Sequence, residues 1–176
     1  MRESALAAAL MSATMLPSAL PLLRLDYATA RSRLHTGAMV LGYATVWAAL
    51  GSLTMPLAMM GLGGHGAAAG LGVAAAYQAS PAARGCLTRC RLPLARIVVG
   101  WRDGVLGGLR MGVRDGLWCA GCCAGLLVGL IALGAVGIWA MLLFGAVAFT
   151  QKVAPFGVAA SLVLAVALAL GAVVLL

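Results

Sequence analysis

Charged side chains are scarce in this chain, and acidic ones are the scarcest. Only four of the 176 residues are Asp or Glu and two are His, and charged residues make up 9% of the total. A soluble domain carries about 25% charged residues, so this chain has too few to cover a water-facing surface. The sequence also lacks a serine–histidine–acid set, a phosphate-binding loop and a dinucleotide fingerprint. We therefore expect no catalytic site of the hydrolase or kinase kind.

Apolar residues take the place of the missing charge. Hydrophobic residues make up 64% of the chain, and its mean hydropathy is +1.07. In lipid the backbone must pair within its own segment, so spans of about 20 residues have to be helical. The sequence predicts an all-α, polytopic transmembrane helix bundle that forms a single domain over residues 1–176. We expect about six spans and one amphipathic interfacial helix at about 96–114; the spans cover roughly 5–23, 36–60, 67–79, 117–133, 138–150 and 156–176.

Basic residues are unevenly distributed among the predicted loops. Eleven of the twelve Lys and Arg residues lie in the loops 24–35, 84–115 and 151–155, and none lies in 61–66 or 134–137. By the positive-inside rule, the charged loops are cytoplasmic and both termini lie outside. This bias explains the net charge of +8 without a nucleic-acid partner. The lipid bilayer is the expected surrounding.

Glycine recurs every four residues over 100–116 and again over 121–129. Small residues at this spacing are typical of a groove for close helix packing. We expect the segment 96–114 to lie in the membrane interface, because its charged residues fall on one helical face and apolar residues on the other. The pair Asp115-Gly116 is predicted to break the helix before the next span.

All five cysteines lie within residues 85–125. Three of them fit on one helical turn, two more form a pair four residues apart, and the predicted topology puts both groups near the cytoplasmic interface. They could therefore converge on one site, and soft thiolate ligands select Cu(I) or zinc. The neighbouring basic residues, which favour the thiolate form, are Arg84, Arg89 and Arg91. From spacing alone, inert packing, a metal site and thiol redox chemistry all remain open.

Two methionines of the first span, Met11 and Met15, share one helical face. Copper importers use this spacing to place thioethers around a pore, and thioethers are soft ligands for Cu(I). The alternative is that each methionine is a flexible filler of an apolar core. The predicted metal site comprises Cys86, Cys90, Cys119, Cys122 and Cys123, with Met15 and Met11 as candidate relay ligands.

Four blocks of the sequence carry a family resemblance. They are MSATMLPSALPLL, AAYQASPAARGCLTRCRLP, GGLRMGVRDGLWCAGCC and QKVAPFG, and they extend over roughly residues 8–160. In this order they resemble a bacterial family of predicted metal-binding integral membrane proteins, a domain of unknown function with an M-x-P-S helix and C-x-x-x-C-R and C-x-G-C-C motifs.

The resemblance implies a helical protein of the bacterial inner membrane with a metal site built on the five cysteines and Met15. This chain departs from the family pattern at Ala124, Gln151 and Asp115, where the family has an aromatic residue, an acid and a histidine. These changes leave fewer side chains around the metal ligands to orient them by hydrogen bonding. The family's additional amino-terminal span has no counterpart here, so we expect a short member or a late start.

The expected function is binding of a soft metal ion, Cu(I) in preference to zinc, and its handling or transfer to a metal chaperone or membrane partner. No enzymatic activity is expected. One alternative is a membrane thiol–disulfide exchange protein, which the cytoplasmic location disfavours. The other is a non-catalytic partner subunit that packs against another membrane protein through its glycine stripes.

Overall fold

The computed structural model describes residues 2–135 and 137–175, and these residues form eight α-helices and no strand. The predicted all-α class is therefore confirmed. The predicted turn at 134–137 and the last predicted span include Val136 and Leu176, which lie outside the described residues. In chain order the helices are α1 (Arg2–Ala30), α2 (Arg33–Met60), α3 (Gly63–Ala79), α4 (Pro81–Cys90), α5 (Pro93–Gly100), α6 (Gly104–Ala132), α7 (Ile138–Val153) and α8 (Gly157–Val174).

Four helices are long and apolar enough to cross a membrane by length and composition. They are α2, α6, α8 and the part of α1 from Ala8 to Ala30. Helix α7 is apolar but has 16 residues, and α3 has 17. Helix α3 packs against α6 and α8, and its many alanines and glycines allow the close approach that was expected of it.

The polar stretch 24–35 is almost entirely helical, although the sequence predicts a loop there. Only Arg31 and Ser32 connect α1 to α2. The Ser32 side chain accepts a hydrogen bond from the His35 backbone N–H, which is the usual arrangement at a helix N-cap. The buried carboxylate of Asp26 contacts the His35 ring across this turn. Asp26 and His35 therefore join two helix ends rather than facing solvent.

The helix predicted over 96–114 is wrong in its bounds. The chain breaks within this range, because α5 ends at Gly100 and α6 starts at Gly104. Gly104 has a φ of +76°, a left-handed conformation that glycine adopts at little cost. The short α5 buries Ile97 and exposes the apolar side chains of Leu94, Val98 and Val99.

The break predicted at Asp115-Gly116 is also wrong, since α6 continues through both residues. The Asp115 carboxylate accepts a hydrogen bond from Arg96 of α5. Gly116 lies against the side chain of Val46 on α2, where an added Cβ would be too close. Tertiary contacts therefore override the low helix propensity of an Asp-Gly pair.

The glycine stripes of α6 pack against helices of the same chain. A Cβ at Gly112 would overlap the carbonyl oxygen of Met39 on α2. A Cβ at Gly125, in the second stripe, would lie 2.7 Å from Gln78 Oε1 on α3. The predicted close-packing groove is confirmed, and it is filled from within the chain. The glycines thus give no support to a subunit that packs against a partner through them.

The main buried cluster lies where α1, α2, α4, α6 and α7 meet. It combines sulfur-bearing, aromatic and small side chains, so the predicted ligands on α1 and α6 share one core. Half-buried residues of α4 pack against its edge, including both cysteines of that helix. The large buried members of the cluster are Met11, Met15, Tyr43, Trp47, Leu87, Cys119, Cys122, Cys123, Leu127 and Phe144.

Candidate metal centre

Helix α6 presents three cysteines to the centre of the bundle. Cys119, Cys122 and Cys123 are all buried, because residues three and four positions apart share one helical face. The Cys122 thiol donates to the Cys119 carbonyl oxygen at 3.1 Å, and the sulfur atoms of Cys122 and Cys123 are 3.7 Å apart. All five cysteines of the chain are free thiols.

A buried amine contacts the first of these cysteines. Lys152 Nζ lies 2.6 Å from Cys119 Sγ and 3.0 Å from Ser18 Oγ, and Lys152 is only 9% exposed. A buried ammonium group needs an opposite charge in contact with it, and a thiolate at Cys119 would supply that charge. The sequence predicted that Lys152 belongs to a solvated loop. That prediction is wrong, because α7 continues as far as Val153 and carries the side chain into the core.

Arg91 holds the end of α7 in place. Its guanidinium donates to the carbonyl oxygens of Gln151 at 2.8 Å and Pro155 at 3.4 Å. A helix leaves its last carbonyls without intrahelical partners, and a proline just beyond the end prevents the helix from continuing. The contact therefore fixes the last turn of α7 and the position of Lys152 within it.

Tyr43 of α2 contacts Cys119 from another direction. Its hydroxyl lies 2.9 Å from Cys119 Sγ and 3.3 Å from the Met15 carbonyl oxygen, so one proton can serve either acceptor. Met15 and Met11 are both fully buried on α1, within the same cluster as the α6 cysteines. The structure thus brings the predicted thioethers and thiols into one core.

The second cysteine pair lies on α4, beside the α6 cysteines. Cys86 and Cys90 are half-buried. Burial and the neighbouring Cys90 raise the pKa of the Cys86 thiol, while Arg89 opposes this shift. The pKa of the Cys90 thiol is lowered, chiefly by its side-chain interaction with Cys122, and burial opposes this shift. Arg89 therefore favours the Cys86 thiolate, as expected, but burial and Cys90 outweigh its effect on the pKa.

A cavity of about 210 Å³ joins the two cysteine groups. Cys90 of α4 and Cys119 of α6 both line it, together with Lys152. Its wall also includes Arg96 and Asp115, which hydrogen bond to each other at 2.9 Å. One cysteine from each group therefore lines a common cavity, while a single site of three to five thiols, as predicted, is not found among the described residues.

The donor set is not a closed cage. Within residues 2–135 and 137–175, no three or more His, Cys, Asp and Glu side chains are arranged to hold a metal ion. The thiols have the amine of Lys152 and the hydroxyl of Tyr43 as immediate neighbours instead. Such a site can present a few soft ligands together with one compensating positive charge.

Sequence reasoning missed Lys152, Tyr43 and Ser18 as neighbours of the cysteines. One signal was available, because Lys152 is the only charged residue in the segment 138–153, which is otherwise almost wholly apolar. An ionisable residue in such a segment indicates a functional site when it is buried. Periodicity gave no comparable signal for Tyr43 or Ser18.

A second polar cluster lies where α1, α2 and the start of α6 meet. His35 Nε2 is 3.2 Å from Asp26 Oδ1, and His35 Nδ1 is 3.0 Å from the Gly104 carbonyl oxygen. The Thr36 hydroxyl donates to Asp26 Oδ2 at 2.7 Å. The His35 ring also stacks on Trp101, with ring centroids 5.0 Å apart. The sequence showed no partner for His35, whereas the fold uses it to join three segments.

Comparison with known proteins identifies the family. A family model described as PpoB2, copper chaperone, matches residues 7–175. The chain belongs to this copper chaperone family. No curated protein and no solved structure matches the chain. Membership supports a metal-related domain family, as the sequence resemblance predicted, and a copper-handling role for this chain.

Proposed function

We propose that this protein is an integral copper chaperone of the bacterial inner membrane that binds Cu(I) through cysteine thiolates. The principal ligands are Cys90 and Cys119, which line the cavity of about 210 Å³ (the thiol cavity), with Cys122 and Cys123 next to Cys119 on α6. The observation that carries the proposal is that Cys90 and Cys119 line one cavity together with Lys152, in a chain that belongs to a copper chaperone family.

Charge balance favours Cu(I) in this cavity. Two thiolates and one Cu(I) ion together carry one negative charge, and the ammonium of Lys152 beside Cys119 would neutralise it. In surroundings of low dielectric constant an uncompensated charge is costly, so the neutral set is preferred. Structural zinc usually takes four tetrahedral ligands, and the described residues offer no such set of His, Cys, Asp and Glu.

The differing burial of the two cavity cysteines supports a transfer role. Cys90 is half-buried and Cys119 is buried, so an incoming copper ion would meet Cys90 first. Ligand exchange between thiols would then move the ion to Cys119 without releasing it into water. Met15 and Met11, in the same core, are the proposed next ligands, since thioethers also suit Cu(I).

The charge distribution supports a membrane orientation for this transfer. Basic residues cluster at the junction of α1 with α2 and in the segment between α3 and α6, while the connections after α2 and α6 carry none. We therefore place the charged connections and α4 in the cytoplasm, with the thiol cavity opening toward that side. Copper would then be received from, or delivered to, a cytoplasmic metal chaperone or a membrane partner.

Copper stoichiometry tests the binding site directly. The full chain, purified in detergent without oxygen, is loaded with Cu(I), desalted and assayed for metal by atomic spectroscopy. We expect about one bound copper per chain for a site of soft ligands, and its loss in the double variant Cys119→Ser/Cys122→Ser. Cys86→Ser is the matched control, because Cys86 does not line the cavity, and it should retain copper. Unchanged stoichiometry in the double variant contradicts the proposal.

The contact of Cys90 on α4 with Cys122 on α6 favours thiol–disulfide exchange as a second candidate function, because cysteines on two different helices can form a disulfide without distorting either one. Such a protein would cycle between free thiols and a disulfide. Alkylation of the protein in intact cells, followed by mass spectrometry, distinguishes the two. A copper chaperone should show five alkylated thiols, whereas an exchange protein should show a trapped disulfide in a reproducible fraction of chains.

A further inference from the structure

A second cavity, of about 280 Å³, lies among α4, α5 and α6. It adjoins the thiol cavity, because the hydrogen-bonded pair Arg96 and Asp115 belongs to the walls of both. None of the cysteines contributes to its lining within the described residues. The proposed copper function therefore leaves this cavity without a role.

Positive charge exceeds negative charge in this cavity. Arg89, Arg96 and Arg114 line it, and Asp115 is the one carboxylate among the described residues that does so. Asp115 is already engaged by Arg96, whose Nε donates to it at 2.9 Å. The guanidinium of Arg89 lies over the ring of Trp118, 4.2 Å from its centroid. The guanidinium charges of Arg89 and Arg114 thus remain without a carboxylate partner in this partly enclosed cavity.

The same cavity has an apolar side formed by α5. Leu92 and Val99 line it, and both side chains are exposed. Val98 is 72% exposed and Val99 is 81% exposed, whereas Ile97 of the same helix is buried. A helix with an exposed apolar face is suited to the boundary between headgroups and acyl chains. The cavity therefore places the arginine side chains next to an apolar surface that can contact a lipid acyl chain.

We propose that this cavity binds the headgroup phosphate of an anionic phospholipid, with an acyl chain lying along α5. Arginine guanidinium groups match the oxygen geometry of phosphate and form charge-assisted hydrogen bonds with it. Basic pockets between membrane helices on the cytoplasmic side are suited to anionic headgroups. Inorganic phosphate shares this chemistry, but it would gain nothing from Leu92 and Val99.

The lipid site rests on the proposed membrane location and not on copper binding. Its position gives it a consequence for the neighbouring cavity, because a bound phosphate competes with Asp115 for Arg96. Arg96, which together with Asp115 separates the two cavities, would then also contact the lipid. Measurement of bound lipid, without copper, distinguishes failure of this proposal from failure of the copper site.

Lipid retention by the purified full chain tests the proposal. The protein is delipidated in detergent and titrated with phosphatidylglycerol, phosphatidylcholine or inorganic phosphate, and binding is followed by native mass spectrometry and by thermal shift. The test variant is Arg89→Gln/Arg114→Gln. The matched control is Arg102→Gln/Arg110→Gln, which removes the same charge from exposed positions outside the cavity.

We expect the chain to prefer phosphatidylglycerol, and the test variant to bind it roughly tenfold or more weakly, since each basic group near a headgroup contributes about 1 kcal/mol. The control should bind as the natural chain does. Equal binding of phosphatidylcholine, or equal weakening in both variants, would overturn the proposal. If inorganic phosphate alone raised the unfolding temperature as much as phosphatidylglycerol does, the lipid would be overturned as the source of the phosphate.

Discussion

Lys152 is the residue on which the charge balance of the thiol cavity depends. Its ammonium contacts Cys119 Sγ, so replacing it with methionine leaves a thiolate without its counter-charge. We expect Lys152→Met to weaken Cu(I) binding roughly tenfold or more, the equivalent of one charge-assisted hydrogen bond. Competition with a chromophoric Cu(I) chelator measures this. The fold should persist, because Cys119 can take up a proton and methionine fills a similar volume.

Ser18→Ala provides the control for that experiment. It removes a hydrogen bond to Lys152 but leaves the charge beside Cys119. A smaller loss of affinity is therefore expected. If Lys152→Met binds Cu(I) as tightly as the natural chain, the ammonium does not neutralise the copper–thiolate set.

The two cysteines of α4 should differ in their pH dependence. Because the thiolate is the reactive form, a lowered pKa lets Cys90 react at lower pH, and a raised pKa delays Cys86 to higher pH. We expect the alkylation rate of Cys90 to reach half its maximum below the pH of an ordinary cysteine, and that of Cys86 above it. Peptide mass spectrometry after short pulses of iodoacetamide reads both sites in one sample. The reverse order would contradict the contacts described for α4.

At the scale of helices, the contact between α2 and α6 depends on the absence of side chains. Gly112→Ala places a Cβ against the Met39 carbonyl oxygen, so the helices must separate. We expect a loss of about 1–3 kcal/mol in stability, as for other overpacked sites. Thermal unfolding in detergent, followed by circular dichroism, measures the change.

Gly72→Ala is the matched control for this contact. Gly72 lies within α3 and faces open space, with no atom within 4 Å of an added Cβ. Alanine has the higher helix propensity by up to about 1 kcal/mol, so this variant should be unchanged or more stable. An equal loss in both variants would mean that glycine itself, rather than the α2–α6 contact, matters.

The connection between α1 and α2 depends on a buried contact between Asp26 and His35. Asp26 contacts His35 and Thr36, and Asp26→Asn leaves the imidazole without its carboxylate. We expect a loss of about 1.5–3 kcal/mol, the range for a hydrogen bond to a charged group. The exposed Asp103 gives the control variant Asp103→Asn, which should change the unfolding temperature little. Equal effects of the two substitutions would contradict a structural role for the pair.

At the scale of the whole molecule, the distribution of basic residues predicts its orientation. Arg31 lies in the connection between α1 and α2, and His65 lies at the exposed start of α3. Each is replaced by cysteine in a separate variant. We expect a membrane-impermeant maleimide to label His65→Cys in intact spheroplasts, and Arg31→Cys only after the membrane is opened. Labelling of both positions from one side would contradict the predicted topology and the cytoplasmic opening of the thiol cavity.

Helical class and ligand spacing could be predicted from the sequence because both depend on residues close together in the chain. Three cysteines on one turn of α6 follow from a period of 3.6 residues, and α6 does bury all three. The bounds of α5 and α6 could not be predicted in the same way. Whether Asp115-Gly116 breaks a helix depends on Arg96 and Val46, which reach it from other helices.

The sequence by itself determined that the chain is helical, that its charges are gathered in a few stretches and that its thiols are clustered. Composition and periodicity are local properties, and no fold could change them. Only the tertiary structure decided the chemistry around Cys119. Lys152 is 33 residues away in sequence and Tyr43 is 76 residues away, so their contact with one sulfur depends on how α2, α6 and α7 pack. Periodicity identifies the face that a helix buries, whereas packing alone determines which side chains meet that face.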